Sequence, residues 1–234
     1  MNNRAVPHET GVEHNSYGRL LTPDEIAAGA HRELVGGLWD ELGVLQLEFL
    51  RGAGLTPTSW LLDMGCGCLR GGVHFVRFLE PGRYFGVDVN ASLLQAGYGV
   101  ELARAGLQSR LPRTNLLQNG QFEAWRFGQT FDHAWALSLF THLPAPAVRA
   151  CLEQVARCLA PGAVFHASFF EGTSAAPATH QPGGITSYPD RDPFHYSREA
   201  LAGLAAGLPW QPAYLGEWDH PRDQRLMRFV RTRG

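Results

Sequence analysis

A short apolar run, Trp60-Leu61-Leu62, meets an acid at Asp63 and passes through Met64-Gly65-Cys66-Gly67 into Arg70-Gly71-Gly72. Each residue type here has a chemical use. Glycine at 65 and 67 permits positive φ and carries no Cβ, so the main chain can approach a ligand closely. A helix beginning beyond the turn presents unpaired N–H groups to polar or anionic atoms. Asp63 supplies a carboxylate for a ligand's ammonium group or for a bridging water. A second apolar run, Tyr84-Phe85-Gly86-Val87, ends in Asp88. An acid about 20 residues past a glycine turn is spaced to accept hydrogen bonds from both hydroxyls of a ribose. A glycine turn without a ligand and a solvated aspartate are the plain alternatives for each feature alone. The two together, at this spacing, predict a nucleoside site.

Those residues need a sheet to hold them. From Trp60 onward, short apolar runs alternate with helical periods, the pattern of strand-helix-strand units in a parallel sheet. Strands are expected at 60–64, 84–89, 115–118, 133–139 and 163–169, with helices at 71–79, 92–105 and 145–159. The last helix is entered through Pro144 and Pro146 and closed by Pro161-Gly162. Cys151 and Cys158 join Val148, Leu152, Val155 and Leu159 on its apolar face and are expected in the core. Cys66 and Cys68 stand one residue apart, a poor spacing for zinc or a disulfide, and no metal site is expected.

Before the sheet, Thr22-Pro23-Asp24-Glu25 reads as a capping box with proline at the first helical position, opening a helix that runs toward Gly36-Gly37. A second helix carries Leu38, Leu42, Leu45 and Phe49 as one stripe and ends near Gly52–Gly54. After the parallel core, residues 171–196 are rich in Gly, Pro, Ser and Thr and read as a long loop, a candidate lid. A helix from Ser197 to about Gly207 precedes two strand-like runs, 213–218 and 225–230. The short connection between these runs allows only an antiparallel pair. The expected architecture is therefore α/β: a Rossmann-like, seven-stranded, mostly parallel sheet with a C-terminal antiparallel hairpin and two N-terminal helices. It forms one domain with a flexible segment at 1–21, helices at 22–54 and a core at 60–234.

The 234 residues are 44% hydrophobic and 18% charged, with a formal net charge of -2. The charges are interspersed, without the basic run that nucleic-acid binding requires, so a small-molecule partner is expected and a nucleic acid is not. No stretch approaches the roughly 18 apolar residues of a membrane span, and Met1–Arg19 lacks the apolar centre of a signal peptide. The expected location is the cytoplasm, with no membrane partner; the oligomeric state is left open.

From Trp60 to Phe169 the chain resembles the class I S-adenosylmethionine-dependent methyltransferases. The likeness lies in Leu62-Asp63-Met64-Gly65-Cys66-Gly67, in Asp88, and in Phe131-Asp132 at the fourth strand; the C-terminal hairpin extends it. It implies S-adenosyl-L-methionine as cofactor, with Asp63, Gly65 and Gly67 at the methionine moiety and Asp88 at the ribose. Cys66, Val89 and Ser138 belong to the same implied site, and Arg70 either reaches the cofactor carboxylate or sits on the helix surface. Where the family often has an acid after the third strand, this chain has Gln118-Asn119-Gly120-Gln121-Phe122. Asn119 or Gln121 is placed to bond the adenine amino group and Phe122 to stack on the ring, the alternative for each being a simple loop role.

Methyl transfer from a sulfonium needs alignment and exclusion of water, and no protein nucleophile. An acceptor that must lose a proton gains from a general base. His142, beyond the fourth strand at the carboxyl edge of the sheet, is the candidate; its alternative is to order the turn before Pro144. Tyr188, His195 and Tyr196, in or at the end of the expected lid, are candidates for the acceptor pocket as a group. By resemblance a small molecule methylated at oxygen is the favoured acceptor, with nitrogen and carbon acceptors open. Two other readings compete. A non-catalytic protein that binds the adenosyl cofactor would share these motifs. A nicotinamide-dependent oxidoreductase would read Gly-x-Gly-x-x-Gly, whereas here the third glycine, Gly71, falls one residue late.

Overall fold

A computed structural model of the chain describes residues 16–173 and 175–233. Residues 1–15 of the expected flexible segment lie outside the described residues. Residues 16–21 are tied to the core: Asn90 Nδ2 donates to the carbonyls of Tyr17 and Arg19 at 2.7 and 2.8 Å, and Leu21 is buried.

Among the described residues, three α-helices precede the sheet where two were expected. The capping box at Thr22 forms with both of its bonds and opens α1 (Pro23–Ala27). Gly29, at φ 89°, then breaks the run before α2 (Ala30–Leu34). The expected second helix is α3 (Trp39–Gly52), which buries Leu42, Gln46 and Leu50.

The alternating region forms β1 (Leu61–Met64), α4 (Gly72–Phe78), β2 (Tyr84–Asp88), α5 (Ala91–Ala96), α6 (Leu102–Arg104), β3 (Leu116–Gln118), β4 (Phe131–Ala136), α7 (Ala145–Ala156) and β5 (Leu159–Glu171). The helix expected at 92–105 is interrupted by a π-helical turn, Gly97–Glu101. It passes so close to the glycine-rich turn that a Cβ on Gly97 would lie 2.6 Å from the Leu69 side chain. The inserted turn also points Glu101 at α2, where its carboxylate meets His31 Nε2 at 2.6 Å and accepts from Arg32 Nη2 at 2.6 Å. Pro161-Gly162 does not close a helix as expected. It lies inside β5, opposite a register shift between Phe131 and His133 of β4.

The segment read as an unstructured loop contains a small hairpin, β6 (Thr179–His180) with β7 (Thr186–Ser187), and then β8 (His195–Tyr196), which pairs in parallel with the end of β5. Next come α8 (Arg198–Gly203), β9 (Trp210–Gly216) and β10 (Arg225–Arg231). The main sheet runs β3-β2-β1-β4-β5-β10-β9, with β8 attached to β5 as an eighth strand. The first five strands of that path are parallel, and β10 is antiparallel to both its neighbours, so the expected mostly parallel sheet with a terminal antiparallel hairpin is what forms.

Both faces of the sheet are covered. On one, α7 and α8 pack Val148, Cys151, Leu152, Val155 and Leu201 against Phe165 and Phe229, and Cys158, just past the end of α7, joins the same core. On the other, α3, α4 and α6 pack Leu50, Phe75, Leu79 and Leu102 against Leu61 and Trp135. Burial on both faces explains why β1 reads as an uninterrupted apolar run rather than an alternating one. No helix among the described residues is long and apolar enough to cross a membrane.

Candidate active site

Strand order reverses between β1 and β4, and there, at the carboxyl ends of the strands, the structure opens into a cleft of about 470 Å3. This is where open α/β sheets bind ligands. The cleft gathers the predicted cofactor residues: Asp63, Gly65, Cys66, Gly67, Arg70, Asp88, Val89, Asn119, Phe122 and Ser138 all line it, and so does His142.

The glycine turn sits under that cleft with φ of 72° at Gly65 and 54° at Gly67, conformations that disfavour any side chain. A Cβ at Gly67 would also come within 3.0 Å of Val35. The turn is braced from β2. The Val87 carbonyl accepts from the amides of Gly65 and Cys66 at 2.8 and 3.1 Å, and the Asp88 carboxylate accepts from those of Gly67 and Asn90, both at 2.8 Å.

Asp63 is buried, and burial pushes its carboxyl up to about 7, against the opposing pull of the Tyr84 hydroxyl that donates to it at 2.7 Å. A carboxylate desolvated beside a cleft is a ready partner for a cation brought by a ligand. Burial raises the Asp88 carboxyl too, with its backbone hydrogen bonds working the other way. Arg70 is 8% exposed and part of the cleft wall, which rules out the helix-surface alternative. Its Nη1 donates to the carbonyls of Val35 and Gly37 at 3.1 and 2.7 Å, and burial draws its guanidinium down to about 10. Arg70 thus ties the end of α2 to the cleft.

At the adenine end the expectation for Asn119 changes. Its side-chain oxygen accepts from the amides of Gln121 and Glu123, and its amide group donates to Glu123, so the side chain is committed to shaping the loop. That loop presents Phe122 to the cleft at φ 60°, a strained conformation for an aromatic residue. Ser138, at φ 57°, donates its amide to Ser168 and bonds Gln224 through its hydroxyl.

The acceptor trio does not assemble. His195 is buried between the Ser187 hydroxyl and the Thr173 carbonyl, and the Tyr196 hydroxyl donates to the Leu143 carbonyl. Tyr188 carries the Arg191 guanidinium 3.7 Å over its ring. None of the three lines the cleft, because each is spent on folding the 171–196 segment. That segment does supply one residue that no sequence signal singles out: Asp192, whose Oδ1 lies 2.5 Å from His142 Nδ1. Tyr17, with its ring centroid 4.4 Å from that of His142, closes the cleft from the N-terminal side. The polar start of the chain carries no periodic signal that marks Tyr17 out.

A glycine turn, two carboxylates at adjacent strand ends and a switch point between them give the cleft the form of a Rossmann-like nucleoside site, and the β10–β9 pair separates the fold from that of the dinucleotide dehydrogenases. The profile of the methyltransferase domain matches residues 62–165. The fold is shared with magnesium protoporphyrin IX methyltransferase from Synechocystis PCC 6803, solved with bound S-adenosylmethionine (12% identity over 82% of this chain and 81% of that one, TM-score 0.58). It is also that of an O-methyltransferase family protein from Burkholderia thailandensis (13%, 90% and 63%, TM-score 0.62) and of a Clostridium thermocellum structure named as an rRNA methylase (12%, 82% and 96%, TM-score 0.58). The chain thus carries a methyltransferase-domain match over residues 62–165 and shares its fold with S-adenosylmethionine-dependent methyltransferases.

Proposed function

We propose that the protein methylates a small-molecule acceptor at oxygen, in the cytoplasm, and that it does not act on nucleic acid. The observation that carries this reading is the shared cleft: the cofactor residues and His142 line one cavity of about 470 Å3, a volume suited to the cofactor and a modest acceptor. Magnesium protoporphyrin and O-methyl acceptors among proteins of this fold support the small-molecule and oxygen assignments, and the absence of a basic run speaks against RNA.

The residues present fit the cofactor. The side-chain-free turn at Gly65 and Gly67 leaves room for the methionine moiety, Asp63 offers its carboxylate to the ammonium group, Asp88 to the ribose, and Arg70 its positive charge to the carboxylate. Phe122 and Val89 offer apolar contact to the adenine. When bound, the cofactor supplies a sulfonium-activated methyl group. Tyr17 and Arg70 help exclude water, and His142 takes the proton of the acceptor hydroxyl.

The test is calorimetric titration with S-adenosylmethionine, then a screen of hydroxyl, amine and RNA acceptors for S-adenosylhomocysteine release. Turnover of a hydroxyl compound supports the reading. Turnover of RNA alone would overturn the acceptor class, and binding without any turnover would favour a cofactor-binding protein.

A further inference from the structure

The segment from Glu171 to Tyr196 is rich in turn residues, yet it grips one short stretch of the cleft wall at several points. Phe194 N donates to the Thr141 carbonyl at 2.6 Å, and the Tyr196 hydroxyl to the Leu143 carbonyl at 2.5 Å. Between these two anchors in space lies His142, and Asp192 meets its ring. The segment is itself braced. Tyr188 N donates to the Pro193 carbonyl and His195 N to the Tyr188 carbonyl, both at 2.8 Å, while His195, Ser187 and Gln181 form a buried chain of hydrogen bonds beneath. The histidine and aspartate side chains are 22% and 20% exposed, so the pair is largely shielded from competing water.

We propose that Asp192 is a positioning residue for His142, and that the pair restricts the acceptor to groups that must lose a proton on methylation. This rests on the reading of His142 as the base given above. A carboxylate accepts hydrogen bonds, so Asp192 accepts one from Nδ1–H and fixes the neutral ring with its lone pair on Nε2. As the acceptor oxygen bonds to the methyl carbon, the carbon–sulfur electron pair stays on sulfur and the hydroxyl proton passes to Nε2. Asp192 then stabilises the imidazolium, as carboxylates do for catalytic histidines elsewhere. The 171–196 segment is therefore a clamp that orients a base. A thioether or a preformed anion would have no use for such a pair; an alcohol, a phenol or a protonated amine would.

The experiment uses the full chain labelled with 15N-histidine and bound to S-adenosylhomocysteine, with His142→Gln to assign the signal. Above the ordinary titration range of the ring, the wild type is expected to show a protonated Nδ1 and an unprotonated Nε2. Asp192→Asn, whose amide oxygen still accepts from Nδ1, keeps part of that signature, and Asp192→Leu loses it while still binding S-adenosylhomocysteine. In methyl transfer to phenol, Asp192→Leu is expected to lower kcat by about 100-fold, with much less loss for 4-nitrophenol ionised before it binds. An Nε2–H tautomer in the wild type, or equal losses for the two phenols, would overturn the proposal. Failure of the wild type to bind S-adenosylhomocysteine at all would instead strike the methyltransferase reading.

Discussion

The Asp88 carboxylate accepts a hydrogen bond from the Gly67 amide at 2.8 Å, tying the end of β2 to the glycine turn that follows β1. One side chain thus braces the turn and, in the proposed complex, also holds the ribose. In a buried site a charge-assisted hydrogen bond contributes about 1.5–3 kcal/mol, and two hydroxyls share this carboxylate in the proposed complex. Asp88→Ala is therefore expected to weaken S-adenosylmethionine binding by about 100-fold or more, as measured by calorimetry.

Asp63 predicts how binding depends on pH. Its carboxyl lies near 7 in the ligand-free protein, well above the ordinary aspartate range, and it must be ionised to hold an ammonium group. Affinity for S-adenosylmethionine should thus fall as pH drops below about 7, by up to about tenfold per pH unit. Because the folded carboxyl binds its proton more tightly than the unfolded one, Asp63 costs the ligand-free protein stability as pH rises from about 4 to about 7. Asp63→Asn should raise the melting temperature of the free protein above pH 7 while weakening cofactor binding. A variant that binds normally, with the same pH dependence as the wild type, would remove Asp63 from the site.

Asn90 connects the cleft to the start of the chain. Its side-chain oxygen caps α5 by accepting from the amides of Ser92 and Leu93, while its amide group holds the Tyr17 and Arg19 carbonyls. Asn90→Ala removes a helix cap worth about 1 kcal/mol and leaves those carbonyls without their partner. The expected outcome is a lower melting temperature together with faster amide hydrogen exchange at residues 17–21, read by mass spectrometry.

Two buried histidines contribute to the response to acid. Burial pulls His166 down to about 4 and His220 down to about 3, and His220 Nδ1 accepts from the amides of Arg222 and Gln224. Below about 6.5 the unfolded chain takes up protons that these rings refuse, so both contribute a loss of stability as pH falls through that value toward 4. His166→Phe should flatten the decline in urea-unfolding free energy between about pH 6.5 and 4 relative to the wild type.

Much of the fold is legible in the sequence because its signals are local. Thr22-Pro23-Asp24-Glu25 caps a helix through bonds spanning three residues, and Leu61-Leu62 is apolar throughout because a parallel strand is covered on both faces. The interruptions are less visible. Gly29 ends a helix that the apolar pattern alone would continue, and the π-turn at Gly97 answers to Leu69, far away in sequence. Pro161-Gly162 reads as a terminator by type, yet it enters a strand because β4 offers a partner with a register shift there.

The site divides along the same line. The glycine turn and the acids at two consecutive strand ends lie within a single strand-helix-strand unit, whose geometry is nearly invariant, so type and spacing alone bring them together at one cleft. The pairing of His142 with Asp192, the commitment of Asn119 to its own loop and the withdrawal of His195 and Tyr196 into the fold are decided by tertiary structure. These depend on how a 50-residue separation closes in space, and on which of several possible partners each polar side chain meets once burial obliges it to bond.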